Sequence, residues 1–223
     1  MQSTKMAKRR KWLGPLGVGL AAWTVCAAVY AQQLVGDCGD PFHNMGGLGY
    51  GPYDYRTATP AQKKLVEGAH FTPIVESLQG GITGTIGNEI DYTLRAFPNH
   101  PRALMAMIRL GQKDRTNKPK GAHYTVECYV ERAIEFRPDD VEIRLIRGIY
   151  HSMNRQYDAA IADLKSVVEQ APNNSNAHYN LGLAYFETKQ YDLALEEARK
   201  AKQLGFPLTG LQHMLASVGK WSE

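Results

Sequence analysis

From residue 141 to residue 204 apolar positions return every three or four residues, the period of one face of a helix. Polar or turn-forming residues interrupt the pattern at 155–156, 171–175 and 189–190. The pattern predicts helices over 141–154, 157–170, 176–188 and 191–204. The helices fall into two pairs of similar length, and the pairs are related in sequence. "NRQYDAAIADL" begins at Asn154 and "TKQYDLALEEA" at Thr188, 34 residues later.

At that offset Gly148 matches Gly182, Tyr157 matches Tyr191, Asp158 matches Asp192, Ala160 matches Ala194 and Ile161 matches Leu195. Pro172 closes the first unit, and Phe206-Pro207 closes the second one residue late. A helix hairpin of this length cannot bury its own apolar face, so a second hairpin stacked on it completes the core. Gly148 and Gly182 are expected where two helices approach closely, with Ala160 and Ala194 facing them. Pro172 cannot continue a helix interior.

These units resemble the tetratricopeptide repeat (TPR). The family pattern Leu-Gly-x-x-Tyr stands as "LGLAY" at Leu181 to Tyr185, while "RGIYH" at Arg147 to His151 places its Tyr one position early. The family's large aromatic near the start of the first helix is replaced by His178 in one unit and Arg144 in the other. The resemblance implies an all-α fold, an α-solenoid of helix hairpins. It also implies an inner face built from the first helix of each pair: Leu145, Ile149, Ser152 and Met153, then Asn176, Tyr179, Asn180, Leu183, Phe186 and Glu187. Asn180 matches an Asn that some TPR domains use to hold a peptide backbone. The basic residues that clamp a terminal carboxylate are not evident.

A degenerate unit lies upstream. "FPNHPRAL" at Phe97 resembles "APNNSNAH" at Ala171, and "EFRPDDVEI" at Glu135 is a third such junction. Pro98 and Pro138 are 40 residues apart, so the extra residues are expected in the polar loop 111–123. Helices are expected over 101–110 and 124–136, and 87–97 reads as a lone second helix. At the C-terminus Leu208, Leu211, Leu215 and Val218 predict a short capping helix. The resulting division is 1–31 signal peptide, 32–83 irregular arm, 84–207 repeat domain (its clear repeats 141–174 and 175–207) and 208–223 cap.

The arm changes character. Residues 46–56 are rich in Gly and Tyr and are expected to be extended, because Gly costs a helix about 1 kcal/mol. Thr59-Pro60 and Thr72-Pro73 look like helix starts, with Gly68 and Gly80-Gly81 as stops. The stretch from Pro52 to Leu104 resembles the N-terminal part of exported bacterial proteins that carry TPRs and have no assigned activity.

Charge and cysteines bear on compartment. Lys5, Lys8, Arg9, Arg10 and Lys11 precede the apolar stretch 12–28, and Val29-Tyr30-Ala31 fits a signal-peptidase site with cleavage after Ala31. The alternative is a retained membrane anchor; Val25 before Cys26 argues against a lipoprotein. Setting those five basic residues aside from 26 leaves 21 Lys and Arg against 22 Asp and Glu. A near-neutral chain gives no electrostatic reason to expect nucleic acid, and no integral membrane span is expected after cleavage. Cys38 and Cys128 then remain, most simply as one disulfide, with an intermolecular bridge or free thiols as alternatives.

No catalytic motif stands out: there is no GxSxG, HExxH, Walker loop or cysteine cluster of zinc type. Asp37, Cys38, Asp40 and His43 read as a polar turn beside a disulfide rather than a metal site. Asn173-Asn174-Ser175 fits a glycosylation pattern in an inter-repeat turn, where chance suffices. No cofactor, metal or enzymatic activity is expected. The expected function is an exported adaptor in the bacterial envelope, in the periplasm or secreted, that binds a protein or peptide partner and supports assembly of an envelope or surface complex. The alternative is a self-assembling subunit whose arm docks on a neighbouring copy. The arm accordingly has two readings: packed across the repeat groove of its own chain, or exchanged between chains.

Overall fold

The computed structural model describes residues 38–43 and 50–221. The predicted signal segment 1–31, Asp37 and the Gly-rich residues 44–49 lie outside these described residues. The arm contributes α1 (Pro60–His70) and α2 (Pro73–Glu76). There follow α3 (Ile86–Ala96), α4 (Pro101–Asp114), α5 (Val126–Phe136), α6 (Val141–Met153), α7 (Tyr157–Gln170), α8 (Ser175–Glu187), α9 (Tyr191–Gln203) and α10 (Gly210–Ser217). The described residues are all-α, with no strand. α6 packs on α7, α7 on α8 and α8 on α9, so the hairpins stack in chain order as an α-solenoid.

Local chemistry places the helix starts. The side chains of Thr59, Thr85, Thr125, Asp140 and Asn174 each accept a hydrogen bond from a first-turn backbone N–H. Pro60, Pro73 and Pro101 fill early positions, where a missing N–H costs nothing. The expected glycine stops are not used. α1 runs through Gly68, whose missing Cβ would meet no atom, and ends where the chain turns to bury Phe71. α2 ends at Glu76, and the chain turns through Leu78 (φ +59°) before Gly80. α4 runs past Leu110 and through Gly111 to a left-handed cap at Arg115.

Two apolar clusters carry the solenoid, and α6 serves both. Ile143 and Ile146 join Ile90, Leu104, Met107 and Val130 in the first. Leu145 joins Leu164, Leu181, Leu211 and Leu215 in the second. Fully burying a side chain such as Leu164 or Leu181 stabilises the fold by roughly 1.5–3 kcal/mol. Leu211 and Leu215 seat α10 on the last repeat, whereas Leu208 and Val218, expected in the same apolar face, are outside the helix and exposed.

The small residues sit at close approaches. A Cβ on Gly148 would lie 2.7 Å from Leu164 Cγ, and one on Gly182 would lie 2.6 Å from Leu211 Cδ2. Gly148 therefore makes room for a leucine one turn beyond Ala160, and Gly182 for the cap, with the Ala194 carbonyl oxygen 3.3 Å away. Ala160, Ala194 and Tyr185 are buried; Pro172 is exposed after α7. The replaced aromatic is compensated in both repeats. His178 Nδ1 lies 2.5 Å from Glu197 Oε2, and Arg144 lies 3.8 Å from Asp163, each acid standing 19 residues after its partner. Arg147 adds a two-pronged pair to Asp163 at 2.7 and 2.8 Å.

Among the described residues the arm runs over the inter-unit turns, and only Glu76 reaches the edge of the repeat groove. Tyr53 N donates to the Ala96 carbonyl, and Gly51 (φ +97°) passes so close that a Cβ would sit 2.4 Å from that oxygen. Tyr50, Tyr53 and Tyr55 pack on Val66, Ala96 and Phe97. Asn99 donates both to Asp54 in the arm, at 2.7 Å, and to Asp140 in the next turn, at 3.0 Å. Arg137 bonds Asp54 at 2.7 Å and Arg56 bonds Asp139 at 2.8 Å. Cys38 and Cys128 are joined across 90 residues, and Arg132 holds the same segment through the carbonyls of Cys38 and Gly39.

Candidate functional site

Side chains at 142, 145, 146 and 149 share one face of α6, and those at 101, 105 and 109 share one face of α4. These faces converge with the start of α8 on a cleft of about 290 Å³. Met105, Leu145, Ile146 and Ile149 form its apolar centre, and Arg102, Arg109, Glu142 and Glu76 its charged rim. Asn176 closes the α8 side.

The rim is partly fixed. Arg102 holds the Glu76 carboxylate through both oxygens, with Nε to Oε1 at 2.7 Å, and this keeps the Glu76 carboxyl below the usual carboxylate range. Arg109 donates to the Glu76 backbone carbonyl at 3.4 Å. Burial, and then the nearby Asp140 charge, push the Glu142 carboxyl up. Beneath α4, His100 is fully buried; its Nδ1 accepts from Ala103 N and its Nε2 donates to Glu67 at 3.1 Å. Burial lowers the His100 pKa to about 4, so the ring is neutral at pH 7.

The structure distributes the sequence-derived inner-face residues over several places. Leu145, Ile149 and Asn176 meet in this cleft. Asn180 joins them through Asn176: its Nδ2 donates to the Asn176 backbone oxygen at 2.8 Å and to Oδ1 at 2.7 Å. Asn180 therefore presents Oδ1 as an acceptor and Asn176 presents Nδ2 as a donor, the two halves needed to pair with a peptide group. Leu183 and Phe186 pack on the second apolar cluster. Glu187 accepts from the Tyr157 hydroxyl at 3.3 Å. Met153 lies elsewhere, in a cleft with Ile108, Tyr150 and Asn154. Tyr179 stacks on Phe206, ring centres 4.3 Å apart, under the C-terminal segment. Ser152 has a shielded hydroxyl without a hydrogen-bond partner among the described residues.

Sequence reasoning missed Met105, Arg102, Arg109 and Glu76. The first three lie on a helix whose unit departs from the 34-residue spacing, and Glu76 comes from the arm. A usable signal existed, since Pro101, Met105 and Arg109 keep four-residue spacing after the "FPNHP" junction. Near the disulfide, Asp40 and His43 hydrogen-bond each other at 2.5 Å on an exposed turn. Among the described residues no helix is long and apolar enough to cross a membrane. Nor does any group of three or more His, Cys, Asp and Glu side chains there gather as metal ligands would.

Residues 147–205 match the tetratricopeptide repeat family. The chain is 34% identical over 73 residues to Protein SGT1 homolog of Homo sapiens, a match covering 33% of this chain and 20% of that protein. It is 33% identical over 86 residues to Superkiller complex protein 3 of Mus musculus, covering 35% of this chain and 5% of that protein. The chain thus spans a fifth or less of these two relatives. Among solved structures, MamA from Desulfovibrio magneticus RS-1, residues 41 to the end, superposes with a TM-score of 0.51 at 20% identity. That superposition covers 72% of this chain and 85% of MamA, and at this identity it speaks for the fold alone. Stacked hairpins, glycines at the close approaches and the match over 147–205 agree: residues 147–205 are tetratricopeptide repeats.

Proposed function

We propose that the protein is a non-enzymatic adaptor that acts after export, in the bacterial envelope, and holds a protein or peptide partner in the cleft between α4, α6 and α8. The observation that carries this reading is the convergence of three first-position helices on one apolar-centred cleft with a polar rim. An extended segment placed there buries side chains on Met105, Ile146 and Ile149 and pairs a peptide group with Asn176 and Asn180. The mechanism is shape and apolar complementarity, with no covalent step.

Export is supported by the basic and apolar N-terminal pattern of residues 5–28 and by a disulfide, which persists in oxidising compartments. The adaptor reading is favoured over arm exchange because the described part of the arm packs on its own chain through Tyr53, Tyr55, Asp54 and Cys38.

The test is capture from envelope extracts with wild-type protein, an Ile149→Glu variant and a Lys165→Glu control on the exposed side of α7. A partner retained by the control and lost by Ile149→Glu supports the cleft. A partner retained by all three, or wild-type protein that only binds further copies of itself in light scattering, refutes it.

A further inference from the structure

A second cleft, of about 570 Å³ and open to solvent, lies between α1, the start of α2 and the N-terminal end of α4. Lys63, Lys64, Glu67, Phe71, Thr72 and Arg102 line it. None of them belongs to a matched repeat.

Its charge is one-sided. The only acid there, Glu67, already accepts from the Tyr55 hydroxyl at 2.8 Å and from His100 at 3.1 Å through the same oxygen. Arg102 is held by Glu76 and lies over the Phe71 ring. Lys63 Nζ lies 4.2 Å from the centre of the Tyr55 ring and Lys64 is exposed; neither has an acidic partner within the described residues. Thr72 Oγ1 is shielded from solvent, has no hydrogen-bond partner among the described residues and does not cap α2.

We propose that this cleft binds an acidic segment of a partner chain, with its side-chain carboxylates on Lys63 and Lys64. Charge complementarity selects this occupant: two ammonium groups lack acidic partners and the single carboxylate is engaged. Arg102 also lines the cleft between α4, α6 and α8, so the two sites adjoin, and one partner chain reaches both. The acidic site does not depend on the first cleft being occupied.

Fluorescence anisotropy with a labelled hexaglutamate peptide tests it on the whole protein. Wild type should bind saturably and more weakly as salt rises. Lys63→Glu/Lys64→Glu should weaken binding about tenfold or more. Lys118→Glu/Lys120→Glu, which changes net charge equally on the loop before α5, should bind as wild type does. Absence of saturable binding, or equal losses from the two charge reversals, overturns the proposal. So does displacement of the peptide by inorganic phosphate at concentrations where acetate has no effect, which makes the cleft a phosphate site. A hexaglutamate signal lost in Lys63→Glu/Lys64→Glu separates this site from the first, whose own test is partner capture.

Discussion

His178 hydrogen-bonds Glu197 at 2.5 Å, while its other ring nitrogen donates to the Pro172 carbonyl at 3.0 Å. The ring thus links the start of α8 to α9 and to the preceding inter-repeat turn, in the place of the family's large aromatic. Glu197→Ala leaves a largely buried imidazole without its partner and should lower stability by about 1–3 kcal/mol. The double variant His178→Ala/Glu197→Ala should cost less than the sum of the single changes. Urea unfolding of the four proteins checks the coupling; strictly additive costs would show that the pair does not act as a unit.

Gly148 and Gly182 differ in what surrounds them. A methyl group at Gly182 strikes the cap through Leu211, and one at Gly148 strikes Leu164 within the preceding hairpin. Gly182→Ala and Gly148→Ala should each destabilise by about 1–3 kcal/mol from overpacking, despite the better helix propensity of Ala. Gly182→Ala should expose amides of α10 to hydrogen exchange, and Gly148→Ala should not. Equal protection of α10 in both would contradict the assignment.

His100 makes stability depend on pH. Its pKa falls to about 4 in the fold, chiefly through burial, from 6.5 for a free side chain. Below pH 6.5 the unfolded chain takes up a proton that the folded chain refuses until about pH 4. The destabilisation therefore grows as pH falls through that window and reaches about 3 kcal/mol. His100→Asn keeps a capping side chain at the start of α4 and removes this contribution. The difference between the two unfolding free energies should change between pH 7 and pH 4 and be constant above pH 7.

Reducing the Cys38–Cys128 bond opens a loop of 90 residues. On a loop-entropy account this costs about 4 kcal/mol. Cys38→Ser/Cys128→Ser should unfold at correspondingly lower urea and become insensitive to reductant. Retention of the wild-type midpoint would mean that Arg132 and the arm tyrosines order the segment without the bond.

The repeats were legible because their signal is periodic: the boundaries of α7 coincide with the expected 157–170, and those of α6, α8 and α9 differ by a residue. A stretch of sequence declares such helices by itself. The polar interior of the N-terminal half was not legible, since it is assembled from distant residues. Glu89 is fully buried, yet accepts from the backbone N–H groups of Ile82, Thr83 and Gly84 and bonds His70. Asp91, also buried, gathers Arg95, His123 and the Tyr129 hydroxyl. Two residues apart in sequence, neither acid shows that it is a buried anchor until the loops that surround it are placed. The same limit applies to the cleft: Leu145 and Ile149 follow from one helix, but Glu76 enters only through the path of the arm.

The hydrogen bonds of Asn99 have a mechanical consequence. A solenoid bends by changing the spacing between successive turns. Asn99 fastens the turn before α4 to the turn before α6, and Asp54 and Arg56 splint both from outside. No hydrogen bond or ion pair within the described residues runs from the arm to the next turn, at 171–174. The turns before α4 and α6 are thus tied together, while α8, carrying Asn176 and Asn180, joins the cleft through its apolar packing on α7 and α9.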